Sequence, residues 1–307
     1  MNKTNESYSL ANTLRVLSLF DGISCGKVAF ERAGIPVEKY FASEIESNAL
    51  KISQKNHPDI IQIGDVTKIT EEFLDSIMPI DIIIGGSPCQ DLSSTKQDRE
   101  RKGLKGEKSG LFYEYLRILE YVKPKWFLLE NVVMDKQWQN EISDLLGVQP
   151  ISINSNLVCA ADRERLYWTN IPNITQPKDR HILLKDIVLD AKDVPDKYWY
   201  KKNFTYNGDD EKIQCWLDIN THTLLKKVYN LNNKCGTLTC VSGGYQEKKV
   251  YQNGRCRKLL PVEYERLQTL EDGYTEGVAD SKRYTLVGNG WTVDVIAHIF
   301  SYLKENI

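Results

Sequence analysis

Between residues 15 and 155, short apolar runs alternate with stretches whose apolar residues recur every three to four positions. Residues 16–20, 40–43, 60–63, 81–84, 126–130 and 151–153 form apolar-rich runs of strand length. They show little polar alternation, so burial on both faces is expected, as in a parallel sheet. Between two of them, Leu111, Tyr115, Leu116, Leu119 and Val122 share one face of a helix. The alternation predicts a doubly wound α/β domain with a mostly parallel sheet over residues 1–174. Past Asn170 the rhythm is lost, and residues 175–258 mix Asp/Lys pairs, Asn-Gly turns and aromatics in a pattern that predicts a small irregular module. From Leu259 helical spacing returns. Pro261 can open a helix running to about Leu270, and residues 293–303 read as another, so 259–307 is expected to pack back on the first domain.

Composition bounds the partners. The 307 residues carry 40 Lys+Arg against 42 Asp+Glu, a net charge of −2 that excludes a uniformly basic nucleic-acid coat. Divided by segment the picture changes: residues 175–258 hold 16 basic and 10 acidic side chains, a net +6, and the rest of the chain carries −8. Nine aromatics between Tyr198 and Tyr251 are interleaved with those charges, as a phosphate-positioning surface requires, although many must also form the module's core. No apolar run reaches membrane-spanning length, and the polar N-terminus lacks a secretory pattern. Seven cysteines without a C-x-x-C pair predict free thiols and no metal site, which suits a cytoplasmic or nucleoid-associated protein.

The candidate chemistry sits at strand ends. Phe20-Asp21-Gly22-Ile23 follows the first strand, where a glycine turn lets backbone approach a ligand or simply turns tightly. Glu44 ends the second strand, placed for ribose hydroxyls, and Asp65 ends the third, placed to accept from an exocyclic amine. Each could instead cap a helix. Cys89 follows Gly-Gly-Ser-Pro88 after the fourth strand, which puts its thiol in a cleft rather than a core. Glu130 closes the apolar fifth strand, where a carboxyl suits holding or delivering a proton, or capping the next helix.

The ordered series Phe20-Asp21-Gly22, Pro88-Cys89-Gln90, Glu130-Asn131-Val132, Arg163-x-Arg165 and Gly288-Asn289-Gly290 resembles the motifs of the DNA (cytosine-5) methyltransferases. Leu17 to Gly22, Ala-Ser-Glu44, Gly64-Asp65-Val66 and Gly86-Ser-Pro-Cys89 are most similar to the catalytic domain of the animal de novo enzymes. The resemblance implies a class I S-adenosylmethionine-dependent methyltransferase fold with a target-recognition module over 175–258. It implies Cys89 as nucleophile on carbon 6 of cytosine, Glu130 at ring nitrogen 3 and the amine, Arg165 at the base's carbonyl, and Arg163 supporting the site or a phosphate. S-adenosyl-L-methionine would be lined by Phe20, Asp21, Gly22, Ile23, Glu44, Asp65, Val66 and Pro88, and closed over by Asn289, Gly290 and Trp291. The motifs depart from the family in Ser24, where bacterial forms have a second glycine, and in Ala161, where the arginine motif usually has Gln.

Such chemistry requires a base flipped out of the duplex. Residues 91–110 carry six basic side chains and three glycines, and read as either a solvated loop or one that closes over the base. Within it Ser93, Arg99, Arg101 and Lys102 are candidate contacts to double-stranded DNA, as is Thr237 in Gly236-Thr237-Leu238-Thr239. His298 is expected to be a packing residue. Two rivals remain at this level: the same chemistry on RNA, disfavoured by the Gly-Ser-Pro-Cys-x-Asp-Leu form, and a silent DNA-binding regulator, disfavoured by the joint presence of Cys89, Glu130 and Arg165. A homo-oligomer and a partner restriction nuclease are both compatible with the sequence.

Overall fold

The computed structural model describes residues 13–88, 106, 109–241 and 243–304. The first domain runs β1 (Leu14–Leu19), α1 (Cys25–Ala33), β2 (Val37–Ser43), α2 (Ser47–Asn56), β3 (Ile61–Gln62), α3 (Glu71–Ile77), β4 (Ile82–Gly86), α4 (Phe112–Val122), β5 (Trp126–Val132), α5 (Lys136–Leu146), β6 (Ile151–Asn154), β7 (Ala161–Asp162) and β8 (Glu164–Thr169). Its seven-stranded sheet has the order β3-β2-β1-β4-β5-β8-β6. The pairs from β3 through β5 are parallel, and β8 lies antiparallel to both β5 and β6.

The apolar runs behave as their composition requires, with successive residues facing opposite layers. Val16, Ile82, Ile84 and Leu128 enter one core with α1, and Leu17, Ile83, Phe127 and Leu129 enter the other with α3, α4 and α5. The chain continues through α6 (Leu184–Ile187), β9 (Phe204–Tyr206), β10 (Ile213–Leu217), β11 (Lys227–Tyr229), β12 (Cys235–Gly236), β13 (Lys249–Gln252), β14 (Arg255–Lys258), α7 (Pro261–Leu267), α8 (Asp280–Asn289) and α9 (Val293–Ser301). Here α9 returns to the first layer, where Phe300 stacks on Phe30 with ring centroids 4.1 Å apart. Such a pair adds about 0.5–1.5 kcal/mol beyond its buried area.

Two features differ from the sequence reading. β8 supplies an antiparallel strand inside the main sheet, and residues 204–258 contain a five-stranded sheet of order β14-β13-β11-β10-β9 rather than wholly irregular chain. The second sheet escapes the pattern because its strands are three to five residues long and separated by loops. Its small core of Cys215, Leu217, Val228 and Cys256 is covered by Tyr200, Phe204, Tyr245 and Tyr251, so these aromatics serve packing.

Candidate active site

Strand order reverses between β1 and β4, because β2 and β3 lie to one side and β5 to the other. Doubly wound folds open a ligand crevice at the carboxyl ends of such a strand pair. The turn after β1 and the Ser87-Pro88 segment after β4 both border that crevice.

The β1 turn is built with Phe20, Gly22 and Ser24 at φ of 58°, 60° and 62°. Left-handed backbone at two residues other than glycine is strained and persists only where surroundings enforce it. Asp21 does the enforcing. Its carboxyl turns inward and accepts from the hydroxyls of Ser18 at 2.6 Å, Ser24 at 2.5 Å and Tyr40 at 2.7 Å. Burial nevertheless pushes this carboxyl above the usual carboxylate range, against the pull of those hydroxyls. The Asp21 side chain thus shapes the turn, while a Cβ added at Gly22 would meet open space within 4 Å.

Glu44 accepts from the Gly22 amide through Oε2 at 2.8 Å and from the Ile45 and Glu46 amides through Oε1, both at 2.8 Å. A carboxylate offers about four lone-pair sites. Three amides leave roughly one, on Oε2, the oxygen that holds the Gly22 amide. The cap of α2 is Glu46, which accepts from Ala49, so Glu44 is free of that duty. Asp65 accepts from the Thr67 amide and hydroxyl through Oδ1 alone, which leaves Oδ2 available. Those two bonds hold Asp65 below its ordinary carboxylate range. Val66 and Ile23 are buried beside them. An open glycine, a pinned carboxylate and a second acidic group along successive strand ends fit a nucleoside with a diol and an exocyclic amine.

Glu130 sits across from Gly86 in the β4–β5 pair and is mostly buried. Its Oε1 lies 3.0 Å from Arg165 Nε, and its Oε2 accepts from the Trp291 indole N–H at 3.1 Å. Asn131, the next residue, donates to the Ser87 hydroxyl and carbonyl at 3.0 and 3.3 Å and so ties β5 to the segment that leads to Cys89.

Arg163 has a different place from its neighbour. It is buried, and its guanidinium donates to the carbonyls of Leu238 at 3.0 Å and of Gly288 and Gly290, both at 3.2 Å. It therefore joins the 236–239 segment to the Gly288-Asn289-Gly290 turn. Thr237 donates its hydroxyl to the Asp162 carbonyl at 2.7 Å, beside the β7–β12 pair, and Asn289 accepts from the Cys240 thiol at 2.6 Å. His298 lies in α9 against the Thr175 carbonyl and the Tyr302 ring, as a packing residue should.

Cys89, Ser93, Arg99, Arg101 and Lys102 lie outside the described residues. The six described cysteines are free thiols. Burial pushes Cys25 and Cys235 up to about 12 and Cys215 up to about 11, so none of the three supplies a thiolate at neutral pH. Of the 16 basic side chains in 175–258, Lys249 and Arg257 are fully enclosed, the latter in an ion pair with Glu263. No cluster of His, Cys, Asp or Glu able to hold a metal occurs among the described residues, and no helix there is long and apolar enough to cross a membrane. The residues that the sequence reading passes over are Gln268, which donates to the Val287 and Gly290 carbonyls, and Tyr274, which donates to the Ile23 carbonyl. No local motif marks either one.

Comparison with known proteins places this geometry. The structure is similar to that of the methyltransferase EhMeth of Entamoeba histolytica, with a TM-score of 0.74 at 18% identity over 96% of this chain and 98% of that one. The fold is accordingly the class I S-adenosylmethionine-dependent methyltransferase fold expected from the sequence. A family model described as C-5 cytosine-specific DNA methylase matches residues 14–143 and 159–305, and the chain belongs to that family. Its reaction class is methylation of carbon 5 of cytosine in DNA. Among relatives, the type II methyltransferase M.Bsp6I of a Bacillus species is 28% identical over 96% of this chain and 98% of its own length. The DNA (cytosine-5)-methyltransferase DRM2 of rice is 40% identical over 121 residues. That match takes in 36% of this chain, which spans about a fifth of the rice protein.

Proposed function

We propose that the protein transfers a methyl group from S-adenosyl-L-methionine to carbon 5 of a cytosine flipped out of double-stranded DNA, with Cys89 as the covalent nucleophile. The observation that carries this reading is the pairing of Glu130 with Arg165 at the same carboxyl edge of the sheet as the Gly22–Glu44 cradle. When bound, S-adenosyl-L-methionine supplies an electrophilic methyl group. Glu44 would hold its ribose, Asp65 with Val66 its adenine, and the open face of the Gly22 turn its amino-acid end.

Carbon 5 of cytosine is too electron-poor to take a methyl group unaided. Addition of the Cys89 thiolate to carbon 6 makes carbon 5 nucleophilic while negative charge develops on the ring. Glu130, carrying a proton, donates it to ring nitrogen 3 as that charge develops and accepts from the exocyclic amine, and Arg165 meets the charge at the carbonyl oxygen. Once carbon 5 carries the methyl, a solvent-derived base takes its proton, and the electron pair left behind re-forms the carbon 5–carbon 6 double bond and expels Cys89 as thiolate. Residues 175–258 serve as the target-recognition module in this reading, and their net +6 supplies a local footprint for phosphates.

The test is incubation with labelled S-adenosyl-L-methionine and either duplex DNA or transfer RNA, alongside Cys89→Ala. Label in DNA that disappears with Cys89→Ala is the expected result. Label confined to RNA, or none on either polymer, overturns the reading.

A further inference from the structure

Trp291 stands in none of the roles that the base-binding residues fill, yet its indole N–H is the group that touches the Glu130 carboxylate across 161 positions of chain. The route to that contact is built. A Cβ on Gly86 would lie 2.9 Å from the indole nitrogen and 3.0 Å from Glu130 Oε2, so Gly86 is the opening through which the two meet. A Cβ on Gly26, at the start of α1, would lie 3.5 Å from the far edge of the same ring. The indole therefore runs from the base of the β1 turn to the carboxylate.

The segment presenting it is clamped from two sides. Arg163 holds the Gly288 and Gly290 carbonyls, and Gln268 holds those of Val287 and Gly290 at 3.0 and 2.9 Å. Gln268 also accepts from the Thr292 hydroxyl at 2.6 Å. A rigid donor on a clamped segment costs little ordering when it is used, which is what preorganisation requires. With Arg165 against Oε1 and Trp291 donating to Oε2, the carboxylate is held in one orientation. Each oxygen keeps a further lone-pair site, and the one on Oε2 can accept from an exocyclic amine while Oε1 faces ring nitrogen 3.

We infer that Trp291 is a positioning residue for cytosine recognition: its N–H holds Glu130 so that a remaining lone pair of Oε2 meets the base's exocyclic amine. Arg163 and Gln268 act through it. The inference rests on the proposed base-flipping reaction and assigns a discrimination step within it.

The experiment compares the wild-type protein with Trp291→Phe, which keeps the ring and removes the donor. Both also carry Cys89→Ala so that no thiol adduct forms, and both are titrated with two duplexes whose target position faces an abasic site. One duplex carries the target cytosine at the site found by bisulfite sequencing, the other 2-pyrimidinone, which lacks the amine, at that position. Wild type should prefer cytosine, and Trp291→Phe should lose about tenfold of that preference while binding the pyrimidinone duplex as wild type does. A cycle with Glu130→Gln should show Trp291→Phe having little further effect on the preference. An equal loss on both duplexes, or an unchanged preference, overturns the inference. Far-UV circular dichroism and S-adenosylhomocysteine titration of Trp291→Phe identify a fold or cofactor-pocket defect, which would count against a specific role at Glu130. Should the wild type bind both duplexes equally, the base-recognition reading fails first, so the two failures are separable.

Discussion

The Arg257 guanidinium and the Glu263 carboxylate form a fork-to-fork pair, Nη1 to Oε2 at 2.8 Å and Nη2 to Oε1 at 2.7 Å, with neither side chain exposed. The pair joins β14 of the second sheet to α7. Glu263 also accepts from the Leu189 and Leu260 amides, and Arg257 donates through Nε to Gln252.

Breaking that pair on one side leaves a buried charge without its partner. Arg257→Ala should cost about 3–5 kcal/mol, whereas an apolar double replacement such as Arg257→Met with Glu263→Leu should cost much less, since both charges then leave together. Urea denaturation of the three proteins checks this. Equal losses for the single and double replacements would contradict it.

At the sheet edge, Arg165 reaches Glu130 through Nε rather than through a terminal nitrogen. A lysine carries the charge but not the planar fork. Arg165→Lys should lower kcat by about 100-fold, the scale seen when one transition-state donor is lost. Single-turnover methylation measures it, and S-adenosylhomocysteine affinity should stay near that of wild type.

Glu44 holds the Gly22, Ile45 and Glu46 amides at once. Glu44→Ala releases the turn and removes a charged acceptor, an effect of about 1.5–3 kcal/mol or roughly 10- to 100-fold in affinity. Calorimetric titration with S-adenosylhomocysteine should show that weakening, with Glu44→Gln in between. An unchanged affinity would remove Glu44 from the cofactor site.

The Tyr274 hydroxyl donates its one proton to the Ile23 carbonyl at 2.7 Å, so the His57 nitrogen 3.1 Å away must donate to it. His57 is buried, and that burial pulls its pKa below the ordinary value, opposed by Glu31 at 3.5 Å. The fold thus favours neutral His57. Its stabilisation is complete above pH of about 6.5 and declines as pH falls toward the lowered folded value, because the unfolded chain binds the proton more readily there. Denaturation midpoints between pH 7.5 and about 5 should fall for wild type and fall less for His57→Gln.

Much of this was legible in the chain. The runs at 16–20, 81–84 and 126–130 became β1, β4 and β5 within a few residues, because strands buried on both faces advertise themselves by composition. β8 escaped because it opens with Glu164-Arg165 and turns apolar only afterwards. Glu44 directly follows β2 as expected, whereas Asp65 lies three residues past β3 and caps the short 3-10 turn Val66–Lys68. Their hydrogen bonds were not readable, and neither was the inward turn of Asp21, since side-chain direction depends on Tyr40 and Ser24 arriving from elsewhere. The Trp291–Glu130 bond and the Arg163 clamp join residues more than 120 positions apart, which no local spacing encodes.

The reversed strand β8 has a consequence for polarity. In a parallel sheet every strand finishes at the same rim, so that rim collects only the residues with which strands end. Running β8 backwards between β5 and β6 brings the beginning of a strand to that rim, and Arg165 falls opposite Val132, two residues beyond Glu130. One inverted element thus lets a starting residue and a finishing residue stand side by side, and a sheet otherwise lined with acids and glycines acquires a cation at its mouth.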